Sequence, residues 1–185
     1  MRKVLLHTCC GPCASACVSR LKDAGFVVAM YFSNSNIDTR EEYERRLAAA
    51  RKLAEADGVE LIEDVYDHER WLGEVAAGYE GEPEKGARCE RCFRYSLART
   101  AAHLDRCGFD AFCTSLTVSP HKPSAKIFAA TGEPRFMKED FKKKDGFLLS
   151  AKRAAGLGLY RQAYCGCEFS KRRMEEKDAA RTERT

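Results

Sequence analysis

Ten of the 185 residues are cysteines, and seven of them fall into three tight groups: Cys9, Cys10 and Cys13; Cys89 and Cys92; Cys165 and Cys167. Thiolate sulfur is the usual ligand of iron–sulfur clusters and of zinc, so the first question is how many of these side chains converge. Cys89-Glu90-Arg91-Cys92 is a C-x-x-C at a predicted helix start, where the spacing lets both sulfurs face one ion and the positive helix end favours thiolates. Alone, such a pair reads equally well as a structural zinc site or as chance. One tetrahedral zinc needs only four ligands, whereas a [4Fe–4S] cluster with a second metal nearby can use all seven. The surplus of thiolate points to iron. Cys17, Cys107 and Cys113 fall inside predicted helix or strand and are expected to be small buried apolar residues outside the site.

Redox compartment bears on this reading. The start, Met1 to His7, runs into cysteines after a very short apolar stretch, unlike a signal peptide or a membrane span, so a cytoplasmic location is expected. In a reducing compartment close-set cysteines more often bind metal or do redox chemistry than form disulfides.

The net charge of +4 is modest, but its distribution is uneven. Arg135, Lys138, Lys142, Lys143, Lys144, Lys152, Arg153 and Arg161 face only Glu139, Asp140 and Asp145, and Phe136, Phe141, Phe147, Tyr160 and Tyr164 are interleaved with them. Cations hold phosphates and rings stack on unpaired bases, so this third is a candidate RNA surface, balanced against a solvated face over a core. His121, Lys122 and Arg94 are weaker polar candidates.

The elements that must position these residues alternate. Strands are predicted over 4–7, 26–32, 59–65 and 109–118, and helices over 14–22, 40–57, 68–77 and 92–107, with a Gly-rich loop over 78–87. Thr39 and Glu42 form a capping box, and Gly58 is the expected stop of that helix. This alternation predicts an α/β fold: a Rossmann-like open parallel sheet with helices on both faces, and ligands beyond the carboxyl ends of its strands. One domain is expected over 1–170, followed by a charged tail over 171–185. The first strand–loop–helix turn lacks the glycines and serine that cradle phosphates in ATP-using enzymes of this design; cysteines fill the place.

Together and in order, four segments resemble the epoxyqueuosine reductase family called QueH over nearly the whole chain. They are His7-Thr8-Cys9-Cys10-Gly11-Pro12-Cys13; Arg88-Cys89-Glu90-Arg91-Cys92 with Arg94; Phe112-Cys113-Thr114-Ser115-Leu116-Thr117-Val118-Ser119-Pro120; and Leu159-Tyr160-Arg161-Gln162-Ala163-Tyr164-Cys165-Gly166-Cys167. The resemblance implies a fold of the adenine nucleotide alpha hydrolase type and a [4Fe–4S] cluster with an adjacent mononuclear iron. It also implies reductive removal of the epoxide oxygen from epoxyqueuosine at the wobble position of tRNA with a GUN anticodon. By matching position it makes Cys9, Cys10, Cys13, Cys89, Cys92, Cys165 and Cys167 metal ligands, with Cys9 and Cys10 at the reaction. The division of the seven sulfurs between two metals stays open at this point. Tyr164, Tyr160, Arg161 and Gln162 are the candidates for holding the base, and a one-electron donor such as ferredoxin or flavodoxin is the expected partner. The stretch 119–136 is shorter than the family pattern, which implies a clipped helix there. Two other readings stand beside this one: an iron–sulfur tRNA-thiolating enzyme, which would bind ATP, and a zinc-stapled RNA-binding module without catalysis.

Overall fold

The computed structural model describes residues 1–182. Its first half is a run of strand–helix–strand units: β1 (Lys3–His7), α1 (Gly11–Asp23), β2 (Val27–Phe32), α2 (Arg40–Asp57) and β3 (Glu60–Glu63). After the short α3 (His68–Trp71) and a π-helical turn (Leu72–Ala76) come α4 (Ala87–Cys107) and β4 (Ala111–Thr114). The chain ends with α5 (Ser124–Ala129), α6 (Gly146–Gly156) and α7 (Glu168–Thr182). The last three residues of the tail expected over 171–185 lie outside the described residues; α7 begins before residue 171 and crosses it without a break.

All four strands are parallel, in the order β3-β2-β1-β4. Successive side chains of a strand point to opposite faces, and both faces are covered, so the central β1 and β2 are mostly apolar, whereas the edge strand β3 carries Glu60 and Glu63 at its exposed ends. Val4 and Leu6 pack with Val28, Met30 and Phe32 under α1 and α2, while Leu5, Ala29, Tyr31 and Phe112 meet Phe93 and Leu97 of α4 on the other side. The expected α/β sheet with helices on both faces is what the chain forms.

Local rules explain the helix ends. Thr39 Oγ1 accepts the Glu42 N–H at 3.2 Å, and Gly58 stops α2 in the left-handed region. Glu42 does not return to the Thr39 backbone as a full capping box would; its carboxylate is engaged elsewhere, as described below.

One predicted strand is corrected. The strand over 109–118 is only Ala111–Thr114, because Thr114 Oγ1 accepts the Leu116 N–H at 3.1 Å and turns the chain into a 3-10 helix (Ser115–Val118). After Ser119-Pro120 comes the six-residue α5, the clipped helix expected there, followed by a single parallel bridge between Phe112 and Phe136.

β1 lies between β2 and β4: the chain runs outward through β2 and β3 and then crosses back to β4 on the other side of β1. The carboxyl ends of β1 and β4 therefore form a switch point, the usual ligand crevice of an open α/β sheet. The Cys9–Cys13 loop follows β1 at that edge.

Candidate metal centre

The first thiol group is set by local geometry. Cys10 is the N-cap of α1, and its sulfur accepts the Cys13 N–H at 3.3 Å. Cys9 is tied to the end of β4: its N–H donates to Ser115 Oγ at 3.1 Å, and that hydroxyl lies 3.3 Å from Cys9 Sγ. The sulfurs of Cys9, Cys10 and Cys13 all lie within 4.8 Å of one another, and among the described residues no other three donor side chains come as close. Gly11 permits the arrangement, since a Cβ there would sit 2.6 Å from the Ala49 carbonyl oxygen of α2. Hydrogen bonds from the Cys10 and Cys13 thiols hold the Cys9 pKa well below its ordinary value. His7, in the same motif, is not a ligand: its buried ring bridges Thr114 Oγ1 at 2.9 Å and the Ser33 carbonyl at 3.2 Å. Burial lowers its pKa and keeps it neutral.

The second group is assembled from two distant segments. Cys89 lies in the first turn of α4 and Cys92 one turn on, while Cys165 and Cys167 come from the strap between α6 and α7. Together with Asn36, Trp71, Arg88 and Lys122, these four cysteines line one cavity of about 90 Å³. Burial and the neighbouring Cys165, Cys167 and Cys89 charges push the Cys92 thiol well up, and burial followed by Cys165 pushes Cys167 up to about 12. Four thiols around a common void, with those of Cys89, Cys92 and Cys167 raised by burial and neighbouring thiolate charge, make a donor set that a cationic group would neutralise. The indole N–H of Trp71 supports this: its side chain is 1% exposed, its Nε1 has no hydrogen-bond partner, and it lies against Cys92 and the cavity.

The strap is held by α2. Arg46, 1% exposed, donates from Nη1 to the Cys165 carbonyl at 2.8 Å and from Nη2 to that of Tyr164 at 3.3 Å, while its Nε donates to Glu42 Oε1 at 2.7 Å. Gly166 sits at φ +143°, and a Cβ there would come 2.8 Å from Asn36 Nδ2 and 3.2 Å from Arg46 Nη1. The glycine of Cys165-Gly166-Cys167 is thus required by close approach as well as by its backbone angle.

A wider cleft of about 560 Å³ opens beside the cavity and shares Glu84, Lys85, His121, Lys122, Cys165 and Ser170 with it. Cys13, Arg161, Gln162 and Tyr164 also line it. Lys122 stands between the thiol groups, and the charges of Cys165, Cys9, Cys13 and Cys10 raise its pKa against the opposing effect of burial. Tyr164 Oη donates to Asp38 Oδ1 at 2.6 Å. Tyr160 is not part of the cleft lining: its hydroxyl donates to Glu42 Oε2 at 2.8 Å and its ring lies under Arg45.

Much of the basic third is committed to structure. Arg153 is bound to Asp57 and Ser19, and Arg135 to Glu133 and Asp105. Lys142 Nζ donates to Ser124 Oγ and to the Thr117 and Lys122 carbonyls, and Phe136 and Phe141 are buried. Of the three cysteines set apart, Cys17 and Cys113 are buried as expected; Cys107 is exposed at the end of α4, with its sulfur 3.1 Å from His103 Nε2.

The sequence model of the family described as "Epoxyqueuosine reductase QueH" matches residues 4–173. The chain belongs to this QueH family. Relatives bearing that name include one from Thermotoga maritima, 34% identical over 97% of this chain and 95% of its own length. Another, from Dehalococcoides mccartyi, is 36% identical over 91% and 92%. A third, from Streptococcus pyogenes, is 34% identical over 90% of this chain and 69% of its own. The QueH assignment fits the thiol-lined crevice. It leaves three residues that sequence reasoning passed over: Arg46, Glu42 and Trp71. In the sequence Glu42 is marked only as a helix cap, and nothing singles out Arg46 or Trp71, since an i,i+4 Glu–Arg spacing is common on exposed helix faces.

Proposed function

We propose that the protein is an epoxyqueuosine reductase that converts epoxyqueuosine to queuosine at the wobble position of tRNA with a GUN anticodon, in the cytoplasm. The observation that carries this reading is the division of the seven thiols into a trio and a quartet of different size at the switch point. A single metal ion holds its sulfurs at about 2.3 Å, which brings ligands as close as the trio. The quartet, spread round a cavity of about 90 Å³, suits a larger group. Cys89, Cys92, Cys165 and Cys167 would hold a [4Fe–4S] cluster, and Cys9, Cys10 and Cys13 the lone iron.

When bound, these groups supply single electrons and a Lewis acid for the epoxide oxygen. Removing that oxygen takes two electrons and two protons, breaks both of its C–O bonds, leaves a carbon–carbon double bond and releases water. The protein's part is placement. Lys122, between the two thiol groups, offsets thiolate charge and can donate a hydrogen bond to the oxygen. Gln162 and Tyr164 form the wall against which the base rests, with Arg161 exposed at the mouth for a phosphate. Val118, Pro12 and Phe147 make the apolar side that excludes water. Electrons arrive from a one-electron carrier of the ferredoxin or flavodoxin kind.

The test incubates reconstituted protein with dithionite and tRNA carrying epoxyqueuosine, then resolves the nucleosides by mass. Conversion to queuosine is expected; an unchanged epoxide in the presence of intact iron and sulfide would overturn the assignment.

A further inference from the structure

Ser170, Arg173, Met174, Lys177 and Asp178 all line the 560 Å³ cleft. Their spacing, i, i+3, i+4, i+7 and i+8, makes them one continuous stripe of α7. Such a stripe normally carries apolar residues into a core. Here only Met174 is apolar and Ser170 is the one buried member among the described residues of α7. The stripe is turned to the cleft without being a packing face. The family match stops at residue 173, whereas α7 runs to Thr182, so most of the stripe lies beyond the matched region.

Charge says what the stripe suits. Lys85, Lys122, Arg161, Arg173 and Lys177 line the cleft against the carboxylates Glu84 and Asp178. Lys177 and Arg161 have no carboxylate partner among the described residues. Arg173 lies 3.6 Å from Glu84, in a half-exposed pair of the weak kind that a phosphate can displace. The stripe is held in register with the thiols: Ser170 Oγ accepts the Cys165 N–H at 3.0 Å and donates to Glu84 Oε1 at 2.9 Å. The Phe169 ring is contacted by the Arg88 guanidinium at 4.1 Å and by that of Arg172 at 5.8 Å.

We infer that α7 is a phosphate-binding arm, on which Arg173 and Lys177, about 6 Å apart along the helix axis, take backbone phosphates flanking the nucleotide in the cleft. This rests on the RNA substrate proposed above. Arg161 faces them across the cleft mouth, so the RNA backbone would pass between strap and arm.

Binding of a labelled GUN-anticodon tRNA transcript, followed by fluorescence anisotropy at several KCl concentrations, tests the arm without any turnover. The Arg173→Ala/Lys177→Ala variant should bind about tenfold more weakly, and its slope of log affinity against log salt should flatten by about 1.4, at about 0.7 per phosphate of a single-stranded loop. Arg173→Lys/Lys177→Arg should keep the wild-type slope. Arg2→Ala/Arg106→Ala, a charge-matched change at the opposite edge of the sheet, should keep it too. Helix content and bound iron equal to wild type show that the variants are folded. An unchanged slope in the double-alanine variant, or equal flattening in the opposite-edge variant, overturns the arm while leaving the RNA reading standing. A wild-type protein that fails to bind the transcript overturns both.

Discussion

The two thiol groups are built in opposite ways. Cys9, Cys10 and Cys13 occupy one loop, whose sulfurs lie within 4.8 Å of one another: the Cys10 N-cap is a local contact, while Ser115 beside Cys9 and Ala49 against Gly11 anchor the loop from other elements. Cys89 and Cys92 meet Cys165 and Cys167 only because α2 holds the strap against α4, chiefly through the buried Arg46 and the left-handed Gly166. The first group sits on one continuous turn that the fold anchors, and the second exists only where two distant segments of the chain meet. The trio should therefore persist when the strap is loosened, and the quartet should not.

The largest effect expected is from Cys92→Ala or Cys167→Ala, which should remove nearly all acid-labile sulfide and most of the iron, read by chemical analysis after anaerobic purification. Sulfide at the wild-type level in both would dissolve the quartet. Next comes Arg46→Leu, which takes the buried cation from Glu42, leaving it the Tyr160 hydroxyl and the half-exposed Arg45, and frees the Cys165 carbonyl. Breaking a buried pair from one side costs about 3–5 kcal/mol, so the midpoint of denaturant unfolding should fall steeply, with iron retained by the trio in preference to the quartet. Equal loss from both groups would erase the contrast between local and tertiary assembly.

Cys13→Ala is the complementary probe: it should lose about one iron per chain and keep the sulfide. A smaller change, Ser115→Ala, removes the hydroxyl that touches Cys9 and should weaken lone-iron affinity by about tenfold, the low end for an outer-shell partner, measured by chelator competition. Cys107→Ala marks the floor. It is exposed and remote, and stability should stay within about 0.5 kcal/mol with unchanged iron.

The same contrast explains what could be read from the chain. β1, β2 and the start and stop of α2 were legible because short-range rules decide them: a continuous apolar run, Thr39 before Glu42, Gly58 at the end. The seven cysteines were legible as a set for the same reason. Their split into three and four was not, since spacing along the chain carries no record of which segments enclose a cavity. Arg46 illustrates the limit: four residues after Glu42, it has the spacing of a solvent-exposed helix pair, yet the strap buries it completely. The basic third was misleading in the reverse sense. Arg135, Lys142 and Arg153 looked free for phosphates, but tertiary partners claim them, while Arg173 and Lys177 in the apparent tail face the cleft.

The division of the thiols is tested most directly by Mössbauer spectroscopy of protein loaded with the iron-57 isotope under anaerobic conditions, recorded for wild type and Cys13→Ala. The account predicts a cluster signal and a mononuclear signal in a ratio of about four to one in wild type, with only the mononuclear signal lost in Cys13→Ala. Loss of the cluster signal in that variant, or zinc without sulfide in the wild type, would contradict it.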